Sequence, residues 1–591
     1  METGTPALSG TLLLDRVGDV VVTLNSDGIS WSAVDNVSGT SFCLGMTMNL
    51  KTEDEIKFSN IYAVEFIGWG LIYDFVWKGG LLLGKNSEMN RFVVHGFYKK
   101  KNYNSPWVLS SYIFGHEDFQ TCKTWVDRLH ARINMEVGRP KSLLVFVHPH
   151  CGKENGRKTW ESVAPLFVRA KVKTVVSLTK RAGHAYDIVS SSTNRELNAV
   201  DGIVTVGGDG LFHEVLNGLL RSRHKDPYPP PPPEFNFPRN GVKHQDNNKN
   251  GSNCRASIDG PSDEVPESLF KSDDQEPLIS TSELSGLSPS KAITESGSCD
   301  TDQDNEFSFP NDSTTGIRDS VTSALQIILG KKISLDIAQV VRWKHTTSSV
   351  DVPSVHYAAS FAGYGFYGDV IKESEKYRWM GPKRYDFVGT KVFLEHRSYE
   401  AEVTFLEDKM IDPNPKPEKI QCGPQRSLSS RKNPEKVFCR VNCTVCNKTE
   451  ISSVDDERGI TNASIQSEDS RWVRTKGRFL SVGAAVISCR NEKAPDGLVA
   501  DAHLGDGFLH LILVKDCSRS YYLWHLTQLT RRGGNPLNFK FVEHHKTRAF
   551  TFMANHDESS WNLDGELLQG CQVTVRACRG LVNLFASGPE V

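Results

Sequence analysis

Gly207, Gly208, Asp209 and Gly210 stand between a β-branched run, residues 203–206, and an apolar run, residues 211–220. The first run reads as a buried strand and the second as a helix. Glycine admits backbone angles and close approaches that a side chain forbids, so the bend between them can wrap a phosphate or a substrate hydroxyl. It also sets one carboxylate, Asp209, at the lip of a sheet, where α/β proteins place ligands. Gly-Gly-Asp-Gly alone is equally an ordinary turn. The strand before it, the helix after it and Glu214 one turn into that helix favour chemistry, and the chemistry is phosphoryl transfer. Transfer to an alcohol needs a base for the hydroxyl, a cradle for phosphates and a metal to neutralise charge. Asp209 is the candidate base, and Gly207, Gly208 and Gly210 shape the substrate pocket around it. No Gly-x4-Gly-Lys-Ser/Thr stretch occurs, so the phosphates are not held by a P-loop.

Further blocks narrow the reading. They are Gly363-Tyr-Gly-Phe-Tyr-Gly-Asp369, Glu373-Ser-Glu-Lys-Tyr-Arg378, Arg384-Tyr-Asp-Phe387 and Trp561-Asn-Leu-Asp-Gly-Glu566. With the glycine-rich turn, they resemble the diacylglycerol, sphingosine and ceramide kinase superfamily. Within it the chain is most similar to the ceramide branch in a plant-like version, because Cys439-x3-Cys443-x2-Cys446 occurs there and not among the sphingosine cousins. The resemblance implies ATP with Mg²⁺ as cofactors, Ca²⁺ as a candidate regulator, and ceramide at a membrane surface as substrate. It implies an ATP site drawn from His148, Pro149, His150, Cys151, Gly152, Thr179, Glu214, Arg378, Arg384, Asp564, Gly565 and Glu566. Arg378 and Arg384 would offer planar donors to phosphate oxygens, and Asp369 would face the amide or hydroxyls of the substrate. Asp564 and Glu566 would fix the nucleotide or Mg²⁺-bound water, although Asp-Gly alone signals a hairpin. Relatives carry Asn-Pro-x-Gly-Gly-Lys where this chain has His148, Pro149, His150, Cys151, Gly152 and Lys153. A Cβ at Cys151 narrows that loop.

The chain must supply elements that hold these groups. At 591 residues it exceeds one ordinary core. Residues 1–136 carry short β-like runs closed by a helix near 119–133, with Trp125, Leu129 and Ile133 on one stripe. This resembles a pleckstrin-homology-like domain, against the alternative of a generic small β domain. Lys99, Lys100 and Lys101 could meet acidic headgroups there or form a solvated loop. Residues 140–223 and 316–350 alternate strands and helices, which implies a Rossmann-like parallel sheet and the catalytic α/β domain. Residues 351–411 and 471–591 read as a β-rich domain, an antiparallel sandwich, with ATP in the cleft between the two. A proline run and polar tract at 224–315 reads as a disordered insert, and 412–470 as a second insert holding the cysteines. Cys439, Cys443 and Cys446, with Cys422 or His396, have half the spacing of a zinc site, but reduced thiols are the commoner outcome. The segment from Tyr521 to Arg532 is a basic amphipathic helix that could bind calmodulin or simply belong to the core.

Net charge is −2, from 69 basic and 71 acidic residues, so no global field argues for nucleic acid. Thirteen irregularly spaced cysteines suit a reducing compartment. No apolar run approaches the ~20 residues that span a bilayer. The expectation is a cytoplasmic protein, peripheral on membranes. One expected piece is missing. Relatives place a strand and a Pro-x-Gly-Ser/Thr-x-Asn/Asp loop before the helix at 320–329, whereas here the only candidate is the run from Phe307 to Gly316. Sphingosine or diacylglycerol kinase activity, or a catalytically impaired lipid-binding isoform, are therefore the alternatives.

Overall fold

The computed structural model describes residues 8–34, 55–78, 81–99, 106–136, 138–149, 156–229, 319–343, 353–381, 383–408, 470–491, 493–554 and 558–586. Strands β1 to β7, Leu8–Leu14, Gly18–Leu24, Gly28–Ala33, Glu55–Lys57, Ile61–Lys78, Leu81–Tyr98 and Val108–His116, form an antiparallel sheet in the order β4-β3-β2-β1-β7-β6-β5. Helix α1, Phe119–Asn134, begins at Asp118, whose carboxylate accepts the Gln120 and Thr121 amides at 3.2 and 2.8 Å. That side-chain cap satisfies two of the amides a helix start leaves unpaired. Trp125, Leu129 and Ile133 are buried against Leu12, Val22 and Trp31, so the stripe read from sequence faces the sheet.

The second layer contains β8 (Ser142–Val147), α2 (Gly156–Arg169), β9 (Lys173–Leu178), α3 (His184–Ser191), α4 (Asn194–Asn198), β10 (Gly202–Val206), α5 (Asp209–Arg223) and α6 (Ser320–Ile328). The three strands are parallel in the order β10-β8-β9. Central β8 is covered on both faces, as a parallel strand must be. Leu143, Val145 and Val147 pack toward α2 and α6, while Phe146 packs with Ala185 of α3 and Leu211 of α5. Among the described residues β10 has a strand neighbour on one side only.

The third layer is an eleven-stranded sheet: β11 (Lys332–Arg342), β12 (Ser354–Ala358), β13 (Phe361–Gly365), β14 (Tyr399–Asp408), β15 (Ser470–Ala485), β16 (Leu509–Lys515), β17 (Val542–Thr547), β18 (Ala549–Ala554), β19 (Trp561–Leu563), β20 (Glu566–Leu568) and β21 (Gln572–Phe585). Helices α7 (Phe366–Ser374), α8 (Lys383–Glu395) and α9 (Arg519–Leu529) lie between its strands in sequence. All of its pairings are antiparallel. The sequence grouping of residues 316–350 with the α/β layer divides here: α6 packs on β8, but β11 pairs with β12 and β21 in the large sheet. Of the two inserts read as 224–315 and 412–470, residues 230–315 and 412–469 lie outside the described residues, and with them Phe307 to Gly316 and Cys439, Cys443 and Cys446. Residues 224–229 are described, and His224 Nδ1 lies 2.9 Å from the Tyr357 hydroxyl, so the disordered reading does not hold at that end.

Candidate active site

The register of the parallel sheet decides what meets at its edge. Val206 pairs with Val147, and Val147 with Leu178, so the three strands end side by side. His148, Thr179 and Gly207 therefore leave the sheet together. The His148 amide donates to the Val206 carbonyl at 2.9 Å, and the Thr179 amide to the Val147 carbonyl at 2.9 Å. A Cβ on Gly207 would lie 3.3 Å from the His148 Cβ and 2.7 Å from Leu211, so the turn needs glycine there. His150, Cys151, Gly152 and Lys153 lie outside the described residues.

Asp209 is the first residue of α5, after Gly208 in extended conformation. Helix α5 is fixed on two sides. Leu211 and Val215 pack with Phe146, whereas Leu216 and Leu220 join the core of the large sheet. Asn217, absent from the sequence-based candidates, makes the tightest link. Its amide accepts from the Tyr357 N–H at 2.9 Å and donates to the Tyr357 carbonyl at 3.0 Å, as a strand partner would.

Glu214 spends its carboxylate within the layer. It accepts the Gly183 and Ala185 amides at 2.7 and 3.2 Å, capping the start of α3. Glu214→Ala leaves those amides without an acceptor, so we expect a loss of roughly 1–3 kcal/mol in urea unfolding. A nucleotide role predicts instead a raised KM for ATP at unchanged stability, and the two measurements together separate the roles.

Asp564 is also internal. At φ 50° it occupies the left-handed region, which Asp tolerates better than most residues. Its carboxylate accepts the amides of Ala359, Ser360 and Phe361 at 2.6, 3.0 and 2.9 Å. Asn562 closes the turn by accepting the Gly565 amide at 2.8 Å. The hairpin β19–β20 thereby delivers Glu566, exposed, to the first turn of α5: its Oε1 lies 3.6 Å from where a Cβ on Gly210 would stand. Of the Asp-Gly-Glu triplet, Glu566 offers the accessible carboxylate and Asp564 locks the turn.

Asp369 lies on α7, buried, accepting from the Tyr399 hydroxyl and from Ser559 Oγ at 2.7 Å. Burial raises its pKa, and those two hydrogen bonds oppose the rise. Ser559 stands two residues before β19, so Asp369 braces the hairpin from behind. Arg378 donates to Glu375 at 2.6 Å and is largely exposed. Arg384 Nη2 donates to the Tyr385 hydroxyl at 2.7 Å, while its Nε is buried without a hydrogen-bond partner among the described residues. An orphaned guanidinium donor suits a phosphate oxygen. His396 Nε2 is 2.7 Å from the Cys517 carbonyl. Among the described residues no group of three or more His, Cys, Asp or Glu side chains could hold a metal ion.

A cavity of about 760 Å³ follows the open side of β10, walled by Trp160, Phe167, Leu216, Ala324 and Phe585, with Gly207, Gly208 and Asp209 at one end. Among the described residues it lies along the side of β10 that no strand occupies.

Residues 142–232 match the diacylglycerol kinase catalytic domain family, and 433–558 the ceramide kinase C-terminal domain family. A glycine-rich bend at the strand ends within the first of these defines a lipid kinase of the diacylglycerol kinase class. The chain belongs to the ceramide kinase family. It is 53% identical to a ceramide kinase of Oryza sativa subsp. japonica over 98% of this chain and 99% of that protein. It is 50% identical to one of Arabidopsis thaliana over 99% and 96%, and 30% identical to one of Homo sapiens over 86% and 85%. Among solved structures, a diacylglycerol kinase from Bacillus anthracis str. Sterne is 12% identical, covering 76% of this chain and 97% of that chain, with a TM-score of 0.37. The rice alignment spans 601 positions, whereas 98% of 591 residues is about 579, so about 22 aligned positions have no residue here.

Proposed function

We propose that this chain transfers the γ-phosphate of ATP to the primary hydroxyl of ceramide, giving ceramide 1-phosphate. Family membership supports the substrate, and the approach of Glu566 to Gly210, the residue after Asp209 at the start of α5, carries the mechanism. Asp209 takes the proton from the ceramide hydroxyl as the hydroxyl oxygen attacks the γ-phosphorus, and the bond from that phosphorus to the β–γ bridging oxygen breaks, releasing ADP. Amides at the start of α5, Gly210 among them, and the helix dipole face the phosphates. The Arg384 Nε supplies a further donor. Mg²⁺ fits this donor set, since it takes one or two carboxylates together with nucleotide phosphates. Glu566 would hold it, and when bound it neutralises phosphate charge. His148, Pro149 and Thr179 border the nucleotide, and the α/β and β-rich layers form its two walls. The N-terminal sheet with its single helix serves as a pleckstrin-homology-like membrane domain. The protein works as a peripheral enzyme, and no helix among the described residues is long and apolar enough to cross a membrane.

A second reading has its own support. Among the described residues no strand flanks β10 on the side beside Asp209, and the sequence lacks the Pro-x-Gly-Ser/Thr loop expected there, which favours a lipid-binding form of reduced turnover. Labelled ATP presented with ceramide, sphingosine or diacylglycerol tests both readings. We expect label on ceramide, with a rate at least tenfold above the other two lipids. Ceramide-vesicle binding without label on any lipid selects the second reading, and label mainly on sphingosine or diacylglycerol refutes the substrate assignment.

A further inference from the structure

Helix α9 does not divide into a wet and a dry side. Tyr522 and His525 are buried, the latter with Nδ1 2.9 Å from the Pro536 carbonyl, and Leu526 packs on the core of the large sheet. The opposite face exposes Tyr521, Leu523 and Trp524, each at half or more of its surface. Scattered exposed apolar residues are ordinary. Here three fall within four positions, and two of them, Tyr521 and Trp524, line a groove of about 590 Å³ whose far wall is Phe539, Lys540 and Phe541.

Between Asp516 and Glu543 the side-chain charge has one sign. From Cys517 to Val542 the chain has four cations, Arg519, Arg531, Arg532 and Lys540, and neither Asp nor Glu. All four cations are exposed, and none makes an ion pair among the described residues. Asp496 is the carboxylate that touches the stretch, accepting the Gly533 amide at 2.5 Å.

Trp and Tyr concentrate at the headgroup level of bilayers, and Lys and Arg are drawn to anionic leaflets. We propose that the outer face of α9, with its groove, docks on an anionic lipid bilayer. The charge complementarity selects that partner. A protein that engulfs a basic helix, as calmodulin does, would have to draw Tyr522 and His525 out of the core. The surface rests on the lipid-kinase reading for its use, since the enzyme must meet a membrane-borne substrate, but not for its binding.

The full chain is sedimented with phosphatidylcholine vesicles containing none or one fifth phosphatidylserine. Two variants are compared, Leu523→Ser with Trp524→Ser, and Arg531→Gln with Arg532→Gln. We expect each to bind the phosphatidylserine vesicles at least tenfold more weakly, with the wild-type advantage shrinking in high salt. Turnover on detergent-dispersed ceramide should stay unchanged in both, because neither variant touches the site. Thermal unfolding should stay unchanged in the arginine variant, which controls for the contact that Trp524 makes edge-on with Phe539. Wild-type binding in both variants overturns the proposal. So does wild-type vesicle binding in variants that lose only their binding to calcium-loaded calmodulin, measured alongside by pull-down, which would make the face a protein interface. If the chain phosphorylates no lipid, the kinase reading fails while the vesicle measurement still decides this one.

Discussion

Asp209→Asn lowers the rate of phosphate transfer to ceramide by roughly 10²–10⁴-fold, the usual contribution of a positioned general base. The amide keeps the shape of the carboxylate at the first position of α5 but cannot take up the proton. The fold should survive, because Leu211, Leu216 and the Asn217–Tyr357 pair hold α5 in the Asn variant as in the wild type. Losing a charge at the helix start costs no more than about 1 kcal/mol. The loss should therefore fall in kcat, with KM for ATP changed little and thermal unfolding nearly unmoved. An unchanged kcat removes Asp209 from the chemistry.

Asp564→Ala acts oppositely, through stability. Three backbone amides, those of Ala359, Ser360 and Phe361, lose one shared acceptor inside the protein. Hydrogen bonds to charged groups are worth about 1.5–3 kcal/mol, and buried unpaired donors add to the cost. We expect a loss of roughly 3–5 kcal/mol in chemical unfolding, together with loss of activity because the hairpin no longer holds Glu566 beside Gly210. Glu566→Gln is the contrast. It should leave stability within about 0.5 kcal/mol, as exposed substitutions do, while raising the Mg²⁺ concentration needed for half-maximal rate. If Asp564→Ala unfolds at the wild-type denaturant concentration, its amide cluster is not a fixture of the site.

The local patterns were legible in the sequence where the physics is local. The β-branched run into Gly-Gly-Asp-Gly gave strand, bend and helix, the strand within one residue of its observed ends and the helix two residues short at its start and three at its end, and the Trp125 stripe gave the buried face of α1. What escaped were the uses of side chains whose partners lie far along the chain. Glu214 caps a helix about 30 residues away, Asn217 holds a strand 140 residues away, and Asp564 gathers amides more than 200 residues away. Nothing in their neighbourhoods reveals those destinations, so a resemblance to a nucleotide-contacting position supplied the expectation. For β11 the cause is similar. Its apolar run is compatible with either sheet, and only its register with β12 and β21 decides its layer. Arg384 shows a middle case: its residue type announced an anion partner, and the one found among the described residues is the Glu375 carboxylate at 4.0 Å, with Nε left without a hydrogen bond.

The most direct measurement is transfer of labelled γ-phosphate from ATP to ceramide, with Asp209 or Asn at position 209. It should be made on the chain as it stands and on one carrying a strand and Pro-x-Gly-Ser/Thr loop inserted before Asp319. We predict labelled ceramide 1-phosphate from the Asp209 chains, more of it after insertion, and a rate lower by at least a hundredfold with Asn. Equal rates for Asp and Asn in the inserted chain would contradict the account.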